Sequence, residues 1–525
     1  MRKFVSLLLA IVLLLSVSVV RAEEKEDIVV TVGKEFNPAS CPLPAGQTHE
    51  NNYMLDYIYE TTGVRVEYEW VEVDDQQKIS AAIATATLPD IMTVDQGQFA
   101  ELCKNDMIAP IGEEFEEYAN DYLKTARELY PEAFDAATYK GQLMGIPNTN
   151  VKKEHNLIWV RKDWCEKLGI EIEWGDVLTL DEMIDIATRF RDEDPDGNGE
   201  NDTIALPLSK NWLFSGYRGD YAFQPVSNYF GSYADMWYLD DDGNLTYGSI
   251  TDATRETLVY MAQLYQDGII DPQFATCDEL DMVVSGKCGM FFSSWSAVPI
   301  ANSYLYDGAD WIPVVGPVDE NGVLHTRYNI PSDRYAVVSK NCEHPEALIK
   351  ILSASYYILR YNTGDARYDS WRAEMAAAGI SWTIMPATVS IEATDIIGSR
   401  GKDVLQFIQT GSTAGIAQEN LIYCQVYQQW QKDNTYAYGI RVWKGMGYGC
   451  NVAGYEKTEY KTPIFWGVTP TMSECWSALK DAENETFMKI IMGEVGIEAF
   501  DEFVAKWHAE GGDVIMAEIE DTLGL

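Results

Sequence analysis

Between residues 28 and 94 the sequence switches repeatedly between two periods. A β-branched run at 28–32 is followed by a segment with Met54, Leu55 and Ile58 on one side. Val64, Val66, Tyr68 and Trp70 then recur at every second place, Ile79, Ala82 and Ile83 follow at helical spacing, and residues 91–94 close the series as an apolar run. Spacings of two mark half-buried strands and the helical spacings mark the connections between them. The order predicts a β-α-β-α-β unit, which closes as a parallel sheet with right-handed crossovers. In open sheets of this kind ligands bind beyond the carboxyl ends of the strands. Asp95 and Gln96 come directly after the third strand and are therefore candidate binding residues; the alternative for both is a solvated strand-to-helix turn.

A chain of 525 residues exceeds what one core holds, so two domains are expected. Apolar residues make up 46% and charged residues 23%, the balance of a soluble globular protein. The formal charge of −43 repels nucleic acid and anionic lipid, both of which call for basic patches. Arg2 and Lys3, an apolar run at 5–20 and the small-x-small ending Val20-Arg21-Ala22 form a secretory signal, so residues 1–22 are expected to be removed. The run is shorter than the ~20 residues a spanning helix needs. Nine cysteines are scattered without a CxxC pair, which excludes a zinc ribbon and a thioredoxin-like motif. HExxH, P-loop and GxSxG patterns are absent as well.

The most specific local pattern follows a helix that opens on Thr179 with Glu182 three places later, a capping box. Asp194, Asp196 and Asn198 fall at alternate positions, Gly199 is sixth, Glu200 seventh and Asp202 ninth. These are the first nine places of an EF-hand loop, where oxygens converge on a hard cation. The twelfth place is Ala205 rather than the bidentate Glu, so a helix-loop-helix hand is not expected. A structural Ca2+ held by Asp194, Asp196, Asn198, Glu200 and Asp202 is the expectation, against a metal-free Asx turn.

Several separated stretches carry a resemblance: LIWV at 157–160, LYQDGIIDP at 264–272, GKCGMFFSSW at 286–295, HPEALIKIL at 344–352, and the segment from Phe487 to the C-terminus. Together they resemble bacterial extracellular solute-binding protein family 1, the receptors of ABC sugar importers, and within it the large calcium-containing oligosaccharide-binding type. The resemblance implies an α/β, two-lobed periplasmic-binding-protein fold (type II-like), each lobe a mixed, mainly parallel sheet flanked by helices, with a cleft and hinge between lobes. It divides the chain into an N-terminal lobe of residues 23–147 and 314–361 and a C-terminal lobe of 148–313 and 362–525. It assigns ligand contacts to Trp295 and Trp159 by ring stacking, with Trp466, Trp212 and Tyr335 as further cleft aromatics and Asn148 at the hinge mouth. Against each ring stands a plain core role, since most aromatics pack inside.

The implied protein is no enzyme. It is an exported monomer, periplasmic or at the cell surface, that takes an oligosaccharide and delivers it to ABC permease subunits in the membrane. Ala22-Glu23 stands where many members carry a lipid-modified Cys. Two other functions fit the composition: a secreted glycosidase, for which 82 acids offer many carboxylate pairs but no pattern selects one, and a receptor for peptide or another solute.

Overall fold

A computed structural model describes residues 27–38, 41, 43–149, 157–210, 221–276, 282–283, 285–297, 309–378, 382–393, 395–433 and 437–525. The signal segment and Trp212 lie outside the described residues. The strands of the two main sheets are, in chain order, β1 (Ile28–Glu35), β2 (Val64–Glu72), β3 (Ile91–Asp95), β4 (Ile146–Pro147), β5 (Leu157–Arg161), β6 (Val177–Thr179), β7 (Met290–Ser293), β8 (Trp311–Val318) and β9 (Arg334–Val338).

The first sheet has the order β2-β1-β3-β9-β4. β1 runs parallel to β2 and β3, and β9 runs antiparallel to β3 and β4. The β-α-β-α-β reading thus describes its first half. β2 lies at the sheet edge, and its Val64, Val66 and Tyr68 turn inward while Arg65, Glu67 and Glu69 stay exposed. Helices Tyr53–Thr62, Gln76–Thr85, Gln96–Lys104 and Glu346–Arg360 cover the sheet and share one core with it. Within that core Lys34 is fully buried and donates to the carbonyls of Ile384 and Met385 at 2.8 and 2.9 Å. Burial lowers its pKa to about 7, because desolvation disfavours the charged form.

The second sheet has the order β7-β5-β8-β6, with β5 antiparallel to both neighbours and β8 parallel to β6. β5 is central and every residue of it is buried. Its side chains alternate between two layers. Ile158 and Val160 enter a core shared with helices Leu180–Asp192, Asp252–Gln266, Pro470–Ile491 and Glu498–Trp507. Leu157 and Trp159 enter a core on the other side, built from helices Gly401–Thr410 and Leu421–Lys432 and the π-helical turn Arg441–Gly449. The capping box forms as its sequence predicts: Thr179 N–H donates to Glu182 Oε2 at 2.9 Å, and Thr179 Oγ1 accepts from Glu182 N at 3.3 Å.

Two lobe limits read from the sequence do not match where those residues pack. β8 stays in the second sheet to its end, with Val315 paired to Val177 and Val318 to Thr179, so the chain does not return to the first lobe at 314. It re-enters the first sheet at β9. Tyr368, Trp371, Met375 and the stretch from Ile384 to Ile391 belong to the first core, so the last crossing falls between Ile391 and Ile396 rather than at 362. The segment has no strand period to mark it. Among the described residues no helix is long and apolar enough to cross a membrane.

Candidate functional site

A recess opens at the carboxyl edge of the first sheet. It is lined by Gly33 and Glu35 at the end of β1, Asp75 and Gln76 after β2, Thr93, Val94 and Asp95 at the end of β3, Arg334 at the start of β9, and Thr388. Every parallel strand of this sheet therefore contributes its end, as the topology requires. Arg334 Nη1 and Glu35 Oε2 form an ion pair at 2.9 Å, both side chains about one-third exposed. Asp75 is only 4% exposed, and its Oδ2 accepts from Trp70 Nε1 at 3.3 Å. Burial raises its pKa and nearby Glu35 adds to the rise, while the Trp70 hydrogen bond opposes it. Asp95 stands at the N-cap of helix Gln96–Lys104: its Oδ1 accepts from Gln98 N at 2.8 Å, and Gln98 Oε1 accepts from Asp95 N at 3.1 Å. Gln98 Nε2 reaches Gln76 Oε1 at 2.8 Å and completes a polar rim. Hydroxyl donors would meet carboxylates here, and hydroxyl acceptors the guanidinium and amide.

Beside the recess Asn148 ties three crossings between the lobes. Its backbone N–H donates to Arg334 O at 2.9 Å. Its Nδ2 donates to Asp333 Oδ1 at 2.6 Å, and its Oδ1 accepts from Ser390 N at 2.6 Å. Thr149 adds two bonds, N–H to Ser390 O at 2.9 Å and Oγ1 accepting from Glu392 N at 2.9 Å. Asn148 is 3% exposed, and both polar atoms of its side chain are engaged in joining these crossings.

Glu392, next along the last crossing, is held from both lobes. Arg360, at the end of the first-lobe helix Glu346–Arg360, donates to its Oε1 at 3.1 Å. Arg400, at the start of the second lobe's helical layer, donates to its Oε2 at 2.6 Å. Arg360 Nη1 also donates to Tyr423 Oη at 2.5 Å. Burial alone would push the Glu392 carboxyl up; Arg400 and Arg360 outweigh it and hold the pKa below its ordinary value.

The aromatic assignments fare differently. Trp159 is fully buried, with Nε1 donating to Ser294 O at 3.1 Å. Trp295 is 9% exposed and lies beneath the Arg441–Gly449 turn. A Cβ on Gly445 would sit 2.6 Å from its carbonyl oxygen and one on Gly449 3.1 Å from its own Cβ, while the Arg441 guanidinium covers the ring at 5.4 Å. Both rings are therefore core, because the layer from Ile396 to Ala453 covers that face of the second sheet. Tyr335 is core too: it stacks on Phe99 at 4.3 Å, donates to Ser332 O at 3.3 Å, and burial pushes its pKa up to about 12. Its neighbour Arg334 faces the recess instead, a one-residue offset on a strand of period two. Trp466 is exposed in the loop before helix Pro470–Ile491 and is not among the recess residues. Gln96 is half-buried at the first turn of its helix, beside the recess rather than lining it.

The acidic loop closes on itself. Asp194 accepts from the backbone N–H groups of Gly197, Asn198 and Gly199 at 3.0, 3.1 and 2.9 Å. Asn198 Nδ2 donates to Asp196 Oδ2 and Asp202 Oδ1, each at 2.9 Å, so three side chains converge on one point. Lys287 pairs with the other Asp202 oxygen. Partial burial and the proximity of Asp194 and Asp202 raise the Asp196 pKa. The donor set is all oxygen once the Asn198 amide turns over, which suits a hard cation. Among the described residues no three His, Cys, Asp or Glu side chains gather closely enough to hold a metal. Glu200 contributes only its backbone N–H, to Asn198 Oδ1 at 2.7 Å.

Gly33, Glu35, Asp75, Gln76, Arg334 and Thr388 were not singled out from sequence. The strand-end rule that selects Asp95 also selects Glu35 and Asp75. Thr388 sits in a crossing with no pattern; its N–H donates to Thr93 Oγ1 at 3.2 Å.

The family described as bacterial extracellular solute-binding protein matches residues 45–354. The chain is 25% identical over 339 residues to the fructooligosaccharide ABC transporter substrate-binding protein FusA of Streptococcus pneumoniae, covering 61% of this chain and 60% of FusA. It is 25% identical over 244 residues to the polygalacturonan/rhamnogalacturonan-binding protein YtcQ of Bacillus subtilis, 45% of each chain. The chain thus spans 60% and 45% of the lengths of these two curated relatives. Among solved structures, an HMO-binding ABC-transporter-associated solute-binding protein of Bifidobacterium longum infantis superposes with a TM-score of 0.63 at 14% identity, over 94% of this chain and 97% of the other. FusA solved as an EF-hand mutant in complex with fructo-nystose gives 0.59 at 17% identity, over 93% and 97%. These likenesses establish a two-lobed periplasmic-binding-protein fold.

Proposed function

This chain belongs to the bacterial extracellular solute-binding protein family, and from that premise we propose that it captures an oligosaccharide between its lobes and hands it, unaltered, to the membrane subunits of an ABC importer. The observation that carries the reading is the recess of carboxylates, guanidinium and amide at the strand ends, directly beside three crossings pinned by Asn148. Sugar hydroxyls are donors and acceptors at once, and a mixed polar rim suits them. Binding closes the lobes only if contacts exist in the closed form that the open one lacks, and the pinned hinge fixes the axis of that motion. Family members are solute-binding proteins rather than enzymes, and release of an intact sugar is part of the proposal. Export through the 1–22 signal and action as a monomer complete it. The test is thermal: a matching oligosaccharide at a hundred times its Kd stabilises the fold by about 2.7 kcal/mol, read as a rise in Tm with no reducing sugar released. No rise with any oligosaccharide would contradict capture.

We further propose that the 194–202 loop holds a structural Ca2+, with Asp194, Asp196, Asn198, Glu200 and Asp202 as its oxygen donors. The fit rests on the convergence of Asp196, Asn198 and Asp202. The ion would neutralise carboxylates that share one lysine, Lys287, among the described residues. Chelation is expected to lower Tm and Ca2+ to restore it, while Asp196→Ala abolishes the difference. A Tm indifferent to chelator and to Ca2+ would leave the Asx turn as the whole account.

A further inference from the structure

We infer that the recess selects uncharged oligosaccharides and turns away glycans that carry carboxylates; this rests on the capture reading and narrows its substrate class. Membership of the family leaves glycan charge open. The lining does not. Glu35, Asp75 and Asp95 bring three carboxyl groups to it, and Arg334 is the one cation among its described lining residues. That guanidinium is already engaged by Glu35 at 2.9 Å. Asp75 shares the Arg334 charge with Glu35 and Asp95 has no cation beside it among the described lining residues, and Asp75 is 4% exposed, so water screens it little. Lys34, on the neighbouring position of β1, is committed to the carbonyls of Ile384 and Met385 inside the core. Asp333, on the same crossing as Arg334, adds another carboxylate, bonded to Asn148.

A neutral sugar meets this surface well. Each hydroxyl can donate to a carboxylate in a charge-assisted hydrogen bond, the stronger kind, and Arg334 and Gln76 serve its acceptors. A uronate ring brings the same hydroxyls plus a fixed negative charge. That charge would lie within a Debye length of about 8 Å from the Asp75 and Asp95 carboxyl groups, with no second cation among the described lining residues to receive it. Glu35 already takes the Nη1 arm of the arginine fork that carboxylate recognition favours.

The experiment titrates the full-length chain calorimetrically with two panels of equal chain length. One is neutral: fructans, β-1,4-mannotriose, galactan, arabinan and α-glucan fragments. The other is acidic: β-1,4-trimannuronate, guluronate and galacturonate trimers. Mannotriose and trimannuronate form a matched pair that differs in a C6 alcohol against a carboxylate. The expected result is that the best neutral ligand binds at least tenfold tighter than every uronate. Asp95→Asn retains the helix cap, since Asn and Asp cap about equally, and is expected to narrow that gap at least threefold, as is Asp75→Asn. A uronate that binds as tightly as the best neutral glycan overturns the inference and leaves capture standing. A gap unchanged in both variants overturns the role given to these carboxylates. Panels in which no glycan binds overturn the capture reading itself, and this inference with it.

Discussion

Glu392→Gln is expected to cost about 3–5 kcal/mol of unfolding free energy at neutral pH, the range for breaking a buried ion group by removing one member. The isosteric amide keeps shape and volume, so packing is not the cause. Arg360 and Arg400 are left facing each other in a site where all three side chains are at most 7% exposed. The pH dependence has a definite sign. The pKa of the Glu392 carboxyl is lower in the folded protein than its usual value of about 4.3, because the two arginines outweigh burial. The folded state therefore binds fewer protons than the unfolded one across the interval between those two values. This stabilisation is complete above about pH 4.3 and is lost as the pH falls through the folded value. Urea unfolding from pH 7 downward checks it: the gap between wild type and variant should be widest at neutral pH and close in acid. A gap under about 1 kcal/mol at pH 7 would mean that the arginines find other partners.

The second large effect is expected at Asn148. Asn148→Ala removes the donor to Asp333 and the acceptor for Ser390 N–H, both at 2.6 Å. Stranding these partners costs about 1–3 kcal/mol apiece. Only the backbone bond to Arg334 O survives, so the three crossings are no longer joined through one side chain. The variant should unfold earlier and also show a broader distribution of lobe separations in double electron–electron resonance between spin labels on the two lobes. A variant that loses stability with an unchanged distance distribution would make Asn148 a packing residue and not a hinge pin. Asn148→Asp should be worse than Ala, since it sets a second carboxylate against Asp333.

How much of this was legible in the residues differs from element to element. The alternation from Val64 to Tyr68 marks a half-buried strand, and the structure keeps it so: one face of β2 is exposed, so its period survives in the sequence. Thr179 with Glu182 gave a helix start to the residue, since a capping box is a local device. Leu180, Met183, Ile186, Ala187 and Phe190 form that helix's buried stripe. Trp159 misled because β5 is covered on both faces, and nothing inside LIWVR says which layer a ring will meet. The covering layer comes from residues 396–453, more than two hundred places away, and its tight approach depends on Gly445 and Gly449. Residue type favours Tyr335 over Arg334, although strand parity decides which of the two faces the recess. The partners of Asn148, Asp333 and Ser390, come from distant crossings that nothing local to it announces.

The central claim is that the two lobes turn about the Asn148 crossings and close over an oligosaccharide that leaves unchanged. Small-angle X-ray scattering of the intact chain, with and without a glycan that raises its Tm, tests this most directly. The account predicts a smaller radius of gyration in the bound state, reversed on dialysis, with the glycan recovered at its original length. Bound glycan with an unchanged radius, or glycan recovered in shorter pieces, would contradict it.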